Sequence, residues 1–299
     1  MPLNKACIGK QYPPLRSVVT VEAIQKFARA YNHLNPLFFD ESKAGGIVAP
    51  PMFGVTWVVP STERVVDHDE ELQVDTLHLV HGEQEIEFVR LVSPGEIIAT
   101  TAAIKSIETK ATGEVLAVES TSRDHNGDLV QRAVFSAFIR SGGSGRASQS
   151  ARPPESGHLE PPLFTHREET TEEMPRHYAE AAKDFHQIHL DPRAAAKAGL
   201  PGVILHGLCT LALCSKPFIE RLSGGDPRRL RRLHARFVRP VFPGQPIDIA
   251  VWSAGERDGR KFHDFEVANP QRQVVISNGI TELHLRQAVS AVARACHRW

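Results

Sequence analysis

This chain has no surplus of either charge. Lys and Arg number 35 and Asp and Glu number 35, so the formal net charge is zero. No bulk attraction to nucleic acid or to an acidic membrane is therefore expected. Cysteine is scarce. Cys7, Cys209, Cys214 and Cys296 are the four present, and they form neither a zinc-ligand spacing nor a disulfide framework. Cys209 and Cys214 fall in an apolar helical stretch and read as core residues. A reducing, cytoplasmic compartment is expected. No apolar run is long enough to span a bilayer. The opening residues Met1-Pro-Leu-Asn-Lys-Ala-Cys-Ile-Gly-Lys10 lack the long apolar region of a signal peptide. His33, His78, His81 and His125 have no partner pattern, so no metal is expected among them, and no cofactor.

What is present is ample apolar material, 41% of 299 residues, enough for two domains or one large duplicated domain. Ser141 to Pro162 is rich in Ser, Gly and Pro and reads as a linker, flexible first and stiffer at its proline end. On either side the same elements follow in the same order. Thr20 can cap a helix through Tyr31, with Val21, Ile24, Phe27 and Ala28 at helical spacing. Thr170 or Thr171 can cap its counterpart running toward Ala182, with Thr170 and Glu173 as a capping box. A loop then follows in each half, Asn35-Pro-Leu-Phe-Phe-Asp40 or His186-Gln-Ile-His-Leu-Asp191. Next comes an apolar helix, opened by Ala49-Pro-Pro-Met-Phe-Gly54 or by Leu205-His-Gly-Leu-Cys-Thr210. About four strand-like runs complete each half: 77–92, 96–107, 114–125 and 129–140, then 230–241, 247–254, 261–268 and 273–285. Val92-Ser-Pro-Gly95 and Val241-Phe-Pro-Gly244 mark the same turn twice. A helix followed by an antiparallel meander, repeated, predicts an α+β fold. Two such sheets, each wrapped around a central helix, can join edge to edge into one continuous sheet.

The chemistry concentrates between Asp184 and Gly207. Asp184 and His189 lie at the end of a helix turning into a loop, and His206-Gly207 opens the next helix. A carboxylate and an imidazole facing one spot can hold and deprotonate a water. A helix N-terminus can polarise a carbonyl through its free N–H groups. Together these parts suit adding water to an acyl thioester or removing it. Asp191 is expected to cap a helix beginning at Pro192. His206 is read equally as shaping the helix start or as substrate-binding. In the first half His33 stands opposite Asp184, Phe38 opposite His189, Pro50 opposite His206 and Pro51 opposite Gly207. Pro51 has no N–H to donate, so one active site is expected, in the second half.

These residues resemble the MaoC-like (R)-specific enoyl-CoA hydratases and β-hydroxyacyl-thioester dehydratases, through Asp184, His189, Asp191, Ala198-Gly199, Gly202 and His206-Gly207. The first half resembles the non-catalytic companion domain of that family, through Asn35-Pro36, Asp40 and Ala49-Pro-Pro-Met-Phe53. The family pattern Gly-Asp-x-Asn-Pro-x-His is replaced here by Lys183-Asp184-Phe-His186-Gln187-Ile-His189, which changes the turn chemistry. The resemblance implies a double hot-dog with residues 1–140 as a non-catalytic domain that walls the acyl pocket. It implies a linker at 141–162, a catalytic domain at 163–286 and a tail at 287–299. It also implies reversible hydration of trans-2-enoyl thioesters to (R)-3-hydroxyacyl thioesters. In that scheme Asp184 and His189 hold the water and the Gly207 N–H stabilises the enolate. Met52 and Phe53 would line the core or an acyl tunnel.

Arg228, Arg229, Arg231, Arg232, Arg236 and Arg239 cluster around one strand. They suit either a solvated surface or a site for the phosphates of CoA or the acidic surface of an acyl carrier protein, with Arg236 and Arg239 as candidates. Alternation along a strand splits them between two faces. A hot-dog thioesterase and a non-enzymatic acyl-thioester binding partner are the competing readings. A monomer and a homodimer are equally allowed.

Overall fold

The computed structural model describes residues 2–140 and 158–285. Most of the expected linker, the expected tail 287–299 and Cys296 lie outside the described residues. The first half runs β1 (Leu15–Val18), α1 (Val21–Ala30), α2 (Val55–Val66), β2 (Leu79–Phe88), β3 (Ile97–Lys110), β4 (Gly113–Arg123) and β5 (Leu129–Arg140). The second runs β6 (Phe164–Glu168), α3 (Met174–Ala182), α4 (Pro192–Lys197), α5 (Gly207–Pro217), β7 (Leu230–Phe237), β8 (Ile247–Arg257), β9 (Arg260–Ala268) and β10 (Val274–His284).

All ten strands form one antiparallel sheet in the order β1-β3-β4-β5-β2-β7-β10-β9-β8-β6. The order is a palindrome in structural terms, and its centre is the pairing of β2 with β7, from Glu83 opposite Arg236 to Glu87 opposite Arg232. Each half thereby covers an edge of the other. The expected α+β fold with one continuous sheet is observed. Each half has one strand more than its pattern suggested, because β1 and β6 are short edge strands.

The helices differ as their sequences dictate. Thr20 caps α1, its Oγ1 accepting the Ala23 N–H at 3.1 Å, and Ile24, Phe27 and Ala28 are buried on one face. The central helix α5 is apolar all round, and Leu208 to Pro217 are all buried. Each large apolar side chain buried there contributes about 1.5–3 kcal/mol. The expected cap of α3 is corrected. Thr170 does not cap it; its Oγ1 donates to the Gln245 carbonyl at 2.8 Å. The helix starts later, at Met174 behind Glu173, which places Pro175 in the first turn. A proline there lacks only an N–H that would have no helical partner, whereas further in it would break the helix.

The halves match bond for bond. His33 N–H donates to Ala28 O at 2.9 Å, and Asp184 N–H to Ala179 O at 3.2 Å. Val48 N–H reaches Leu37 O at 3.0 Å, and Ile204 N–H reaches Ile188 O at 3.3 Å. Ala49 donates to Val92 O and Leu205 to Val241 O, both at 2.8 Å. These pairs set His33 opposite Asp184, Phe38 opposite His189, and Pro50-Pro51 opposite His206-Gly207.

Candidate active site

Asp184 follows α3, which ends at Lys183 in the left-handed region, with φ 61°. A short turn, Gln187–His189, then carries His189 back toward the helix start. The replaced Asn-Pro leaves the backbone unchanged. His186 has φ −60° and ψ 126°, and Asn35 in the first half has φ −59° and ψ 127°. The side-chain bond differs. Asn35 caps its own turn through Leu37 N–H. In the second half the Asp184 carboxylate accepts the His186 N–H at 3.3 Å instead. Asp191 caps α4, as expected, accepting the Arg193 N–H at 2.8 Å.

The carboxylate of Asp184 and one nitrogen each of His189 and His206 all lie within 4.8 Å of one another. Two backbone carbonyls set the tautomers. His189 Nδ1 donates to Ile204 O at 2.8 Å, which leaves Nε2 as a bare lone pair. His206 Nε2 donates to Asp184 O at 3.1 Å, and its Nδ1 is buried without a partner. The two rings stack, with centroids 3.8 Å apart and planes inclined by 26°. Burial first, and the neighbouring His206, push His189 down to about 3, against the pull of Asp184. Burial likewise lowers His206. Both imidazoles are neutral at pH 7, so His189 is a base ready to accept a proton. A metal needs each imidazole to place it about 2.0 Å away in the ring plane. Stacked, nearly parallel rings aim their lone pairs side by side rather than at one point. A carboxylate and one free imidazole nitrogen suit a water better.

Gly207 opens α5, and the first N–H bonded within that helix is Thr210's, to His206 O. The Gly207 N–H has no acceptor among the described residues and is available to an oxyanion. A Cβ on Gly207 would stand 3.2 Å from the Phe237 ring, so little room exists there beyond a glycine. Tyr178 of α3 is fully buried with its hydroxyl unpartnered, 5.1 Å ring to ring from His206. Met52 and Phe53 are buried, as expected of core or tunnel residues. Phe53 reaches the site through Phe27, which stands 5.7 Å from both Phe53 and Tyr178.

The arginines are mostly engaged. Arg228 pairs with Asp226, Arg229 bonds His284 O, Arg231 bonds Val89 O and Arg232 pairs with Glu85. Arg236 is exposed, 3.8 Å from Glu83, between the inward-facing Ala235 and Phe237, so it projects from the sheet face opposite the site. Arg239 donates to Val274 O from the loop that also holds Leu205. Tyr178 and Phe237, beside His206 and Gly207, were not singled out by the sequence. Helical spacing from Ala182 points Tyr178 inward; Phe237 carries no local signal.

A ten-stranded sheet curled over two central helices, in two equivalent halves, defines a double hot-dog, and one of the two equivalent places carries a carboxylate, an imidazole and a helix N-terminus. The comparisons agree. Residues 155–275 match the MaoC like domain, and residues 6–133 match the FAS1-like dehydratase domain region. The probable enoyl-CoA hydratase 2 of Dictyostelium discoideum is 29% identical over 184 residues, 60% of this chain and 63% of that protein. The MaoC-like dehydratase of Phytophthora capsici superposes with a TM-score of 0.78 at 23% identity, over 95% of this chain and 100% of that one. A Mycobacterium tuberculosis protein described as having a double hot-dog fold gives 0.60 at 12% identity, over 93% of this chain and 96% of that one. The second half thus carries a MaoC-like domain and the first half a FAS1-like dehydratase region. The chain spans 63% of the Dictyostelium relative and 31% of the Drosophila peroxisomal multifunctional enzyme type 2 that it also matches. Among the described residues no helix is long and apolar enough to cross a membrane.

Proposed function

We propose that this protein catalyses the reversible hydration of trans-2-enoyl thioesters to (R)-3-hydroxyacyl thioesters. The observation that carries the reading is the convergence of Asp184, His189 and His206 within 4.8 Å beside the free N–H of Gly207. Asp184 and His189 Nε2 hold one water. The water oxygen bonds to C3 of the enoyl thioester, and its proton passes to the Asp184–His189 pair. A proton goes to C2 as the enolate collapses. The Gly207 N–H stabilises the enolate oxygen at the N-terminus of α5. His206 holds the loop through Asp184 O and flanks His189. The handedness of the product follows from the family. Residues 163–286 are the catalytic domain in this reading, and residues 1–140 supply the wall of the acyl pocket, with Met52 and Phe53 in it. Residues 141–162 serve as the linker and 287–299 as a tail. CoA or an acyl carrier protein carries the acyl group, with Arg239 better placed than Arg236 to meet its phosphates. The described cysteines are free and buried, which supports a reducing, cytoplasmic setting. The unit acts as a monomer or a homodimer.

The test is the loss of conjugated enoyl absorbance with crotonyl-CoA and a medium-chain enoyl-CoA, in wild type and in Asp184→Asn. Loss in wild type and none in the variant is expected. Full activity in the variant would sink the assignment. Release of free thiol without hydration would indicate a thioesterase.

A further inference from the structure

The first half contributes more than a wall. His81 lies on β2 just before a bulge: its partner on β5 is Ala137, while Gln84 faces Phe135. The extra residue brings His81 to the same inner face as Gln84. Its ring sits 4.4 Å from that of Phe135 and 4.9 Å from that of Phe237. Phe237 is the ring that adjoins Gly207. His81 is therefore one ring removed from the start of α5, its Nε2 buried and without a partner. Burial holds its imidazole neutral, and it feels the charge of Asp184.

Glu63 approaches from α2. The symmetry of the halves explains how. In the first half Tyr31 bonds His33, and His33 feels the charge of Lys216, so the loop after α1 lies beside α5. Asp184 occupies the place of His33 at the end of α3, and α3 packs in turn against α2. With Pro51 opposite Gly207, Ser215 and Lys216 correspond to Val59 and Pro60, and Glu63 is one turn further on. The Glu63 carboxyl is half-buried and has no hydrogen bond or ion pair among the described residues. Burial, with Asp184 as the nearest named charge, lifts it to about 7.

We propose, resting on the hydratase reading, that His81 and Glu63 make the acyl end of the site polar and select enoyl thioesters whose chain carries a hydroxyl beyond the reacting carbons. A plain alkyl chain would leave His81 Nε2 and the Glu63 carboxyl desolvated and unbonded, which is costly. A chain ending in a carboxylate would meet Asp184 and Glu63, neither of which forms an ion pair among the described residues. A hydroxyl donates and accepts at once and carries no charge. It matches a neutral imidazole nitrogen and a carboxyl that exchanges its proton near neutrality.

The test compares hexenoyl-CoA with the same enoyl chain bearing a hydroxyl on its penultimate carbon, in wild type, His81→Phe and Glu63→Leu. The expected result is a preference of about tenfold or more in kcat/KM for the hydroxylated chain, the worth of one well-made hydrogen bond. In both variants the ratio falls toward one. His81→Phe keeps an aromatic ring between Phe135 and Phe237. A poorly folded variant lowers both rates and leaves the ratio intact, so the ratio reads recognition alone. Equal turnover of the two chains by wild type, or a preference that survives both variants, overturns the proposal and leaves the hydratase reading standing. No turnover of any enoyl thioester, crotonyl-CoA included, overturns both.

Discussion

Phe38 and His189 stand at matching points of matching loops, yet one packs in the core and the other presents a free lone pair. The loop backbones agree within a few degrees, so the backbone does not decide which half reacts. The difference lies in four side-chain positions and one missing N–H. Where the second half has Asp184, the first has His33, buried, bonded to Tyr31 and pushed down to about 3. Where the second half has Gly207, the first has Pro51. Around Pro50 and Pro51 there remains a void of about 10 Å³, room for a single water near the unpartnered Trp57 Nε1 and Gln131 Nε2. On its α5 side the first half's version of the site also meets a buried ion pair, Lys216 with Glu168 at 2.7 Å. One half holds the carboxylate and the free imidazole that the proposed hydration needs. The other has turned the same cradle into packing.

The largest effect on turnover should come from erasing the difference in the active half. Asp184→Asn or His189→Ala should lower kcat for crotonyl-CoA by about 10³-fold or more, the scale of a lost acid–base group, with the far-ultraviolet spectrum unchanged. Writing the same residues into the first half, as His33→Asp with Phe38→His, should yield no second site, because Pro51 still offers no N–H. A doubling of active sites by titration with a tight inhibitor would break the comparison. Next in size, Gly207→Ala should lower kcat by about 10- to 100-fold, since its methyl meets Phe237 and tilts the N–H from the oxyanion. Pro51→Gly, its counterpart, should leave kcat unmoved.

Lys216→Met should change turnover little and stability a good deal. It leaves Glu168 buried beside His166 alone, a loss of about 3 kcal/mol, readable as a lower Tm. A smaller effect still is expected of pH on kcat/KM. His189 lies at about 3 when folded, so the rate should stay level from neutrality down to about pH 5. Stability should not stay level. His33, His81, His189 and His206 are all depressed by burial. The unfolded chain binds their protons near pH 6.5, the folded chain only well below that. Their contribution is complete above about pH 6.5 and is lost as pH falls toward the depressed values. Glu63, raised to about 7, works the other way as pH climbs from its unfolded range, one carboxyl against four imidazoles. A Tm that rises on acidification would contradict these shifts.

The long strands and both central helices could be read from the sequence because their patterns are local. Alternation from Ile97 to Ile104 marks β3, and ten consecutive buried residues mark α5. The strands β1 and β6 span four and five residues, too few for alternation to register, and only their pairing with β3 and β8 makes them strands. The start of α3 was misplaced because Thr170 has the look of a cap, while the Gln245 carbonyl, far along the chain, claims its hydroxyl. In the site, Asp184, His189 and His206-Gly207 were legible because they are neighbours in sequence. His81 comes beside Phe237 only because β2 pairs with β7. No spacing within one segment reports a meeting between halves.

Pro51 and Phe38 also bear on what mutation can reach. No single base change turns a proline codon into one for glycine, or a phenylalanine codon into one for histidine. Building a reactive first half would need several substitutions, each useless without the others. In the proposed reading, a change in the first half can therefore alter what the pair recognises without touching how it reacts.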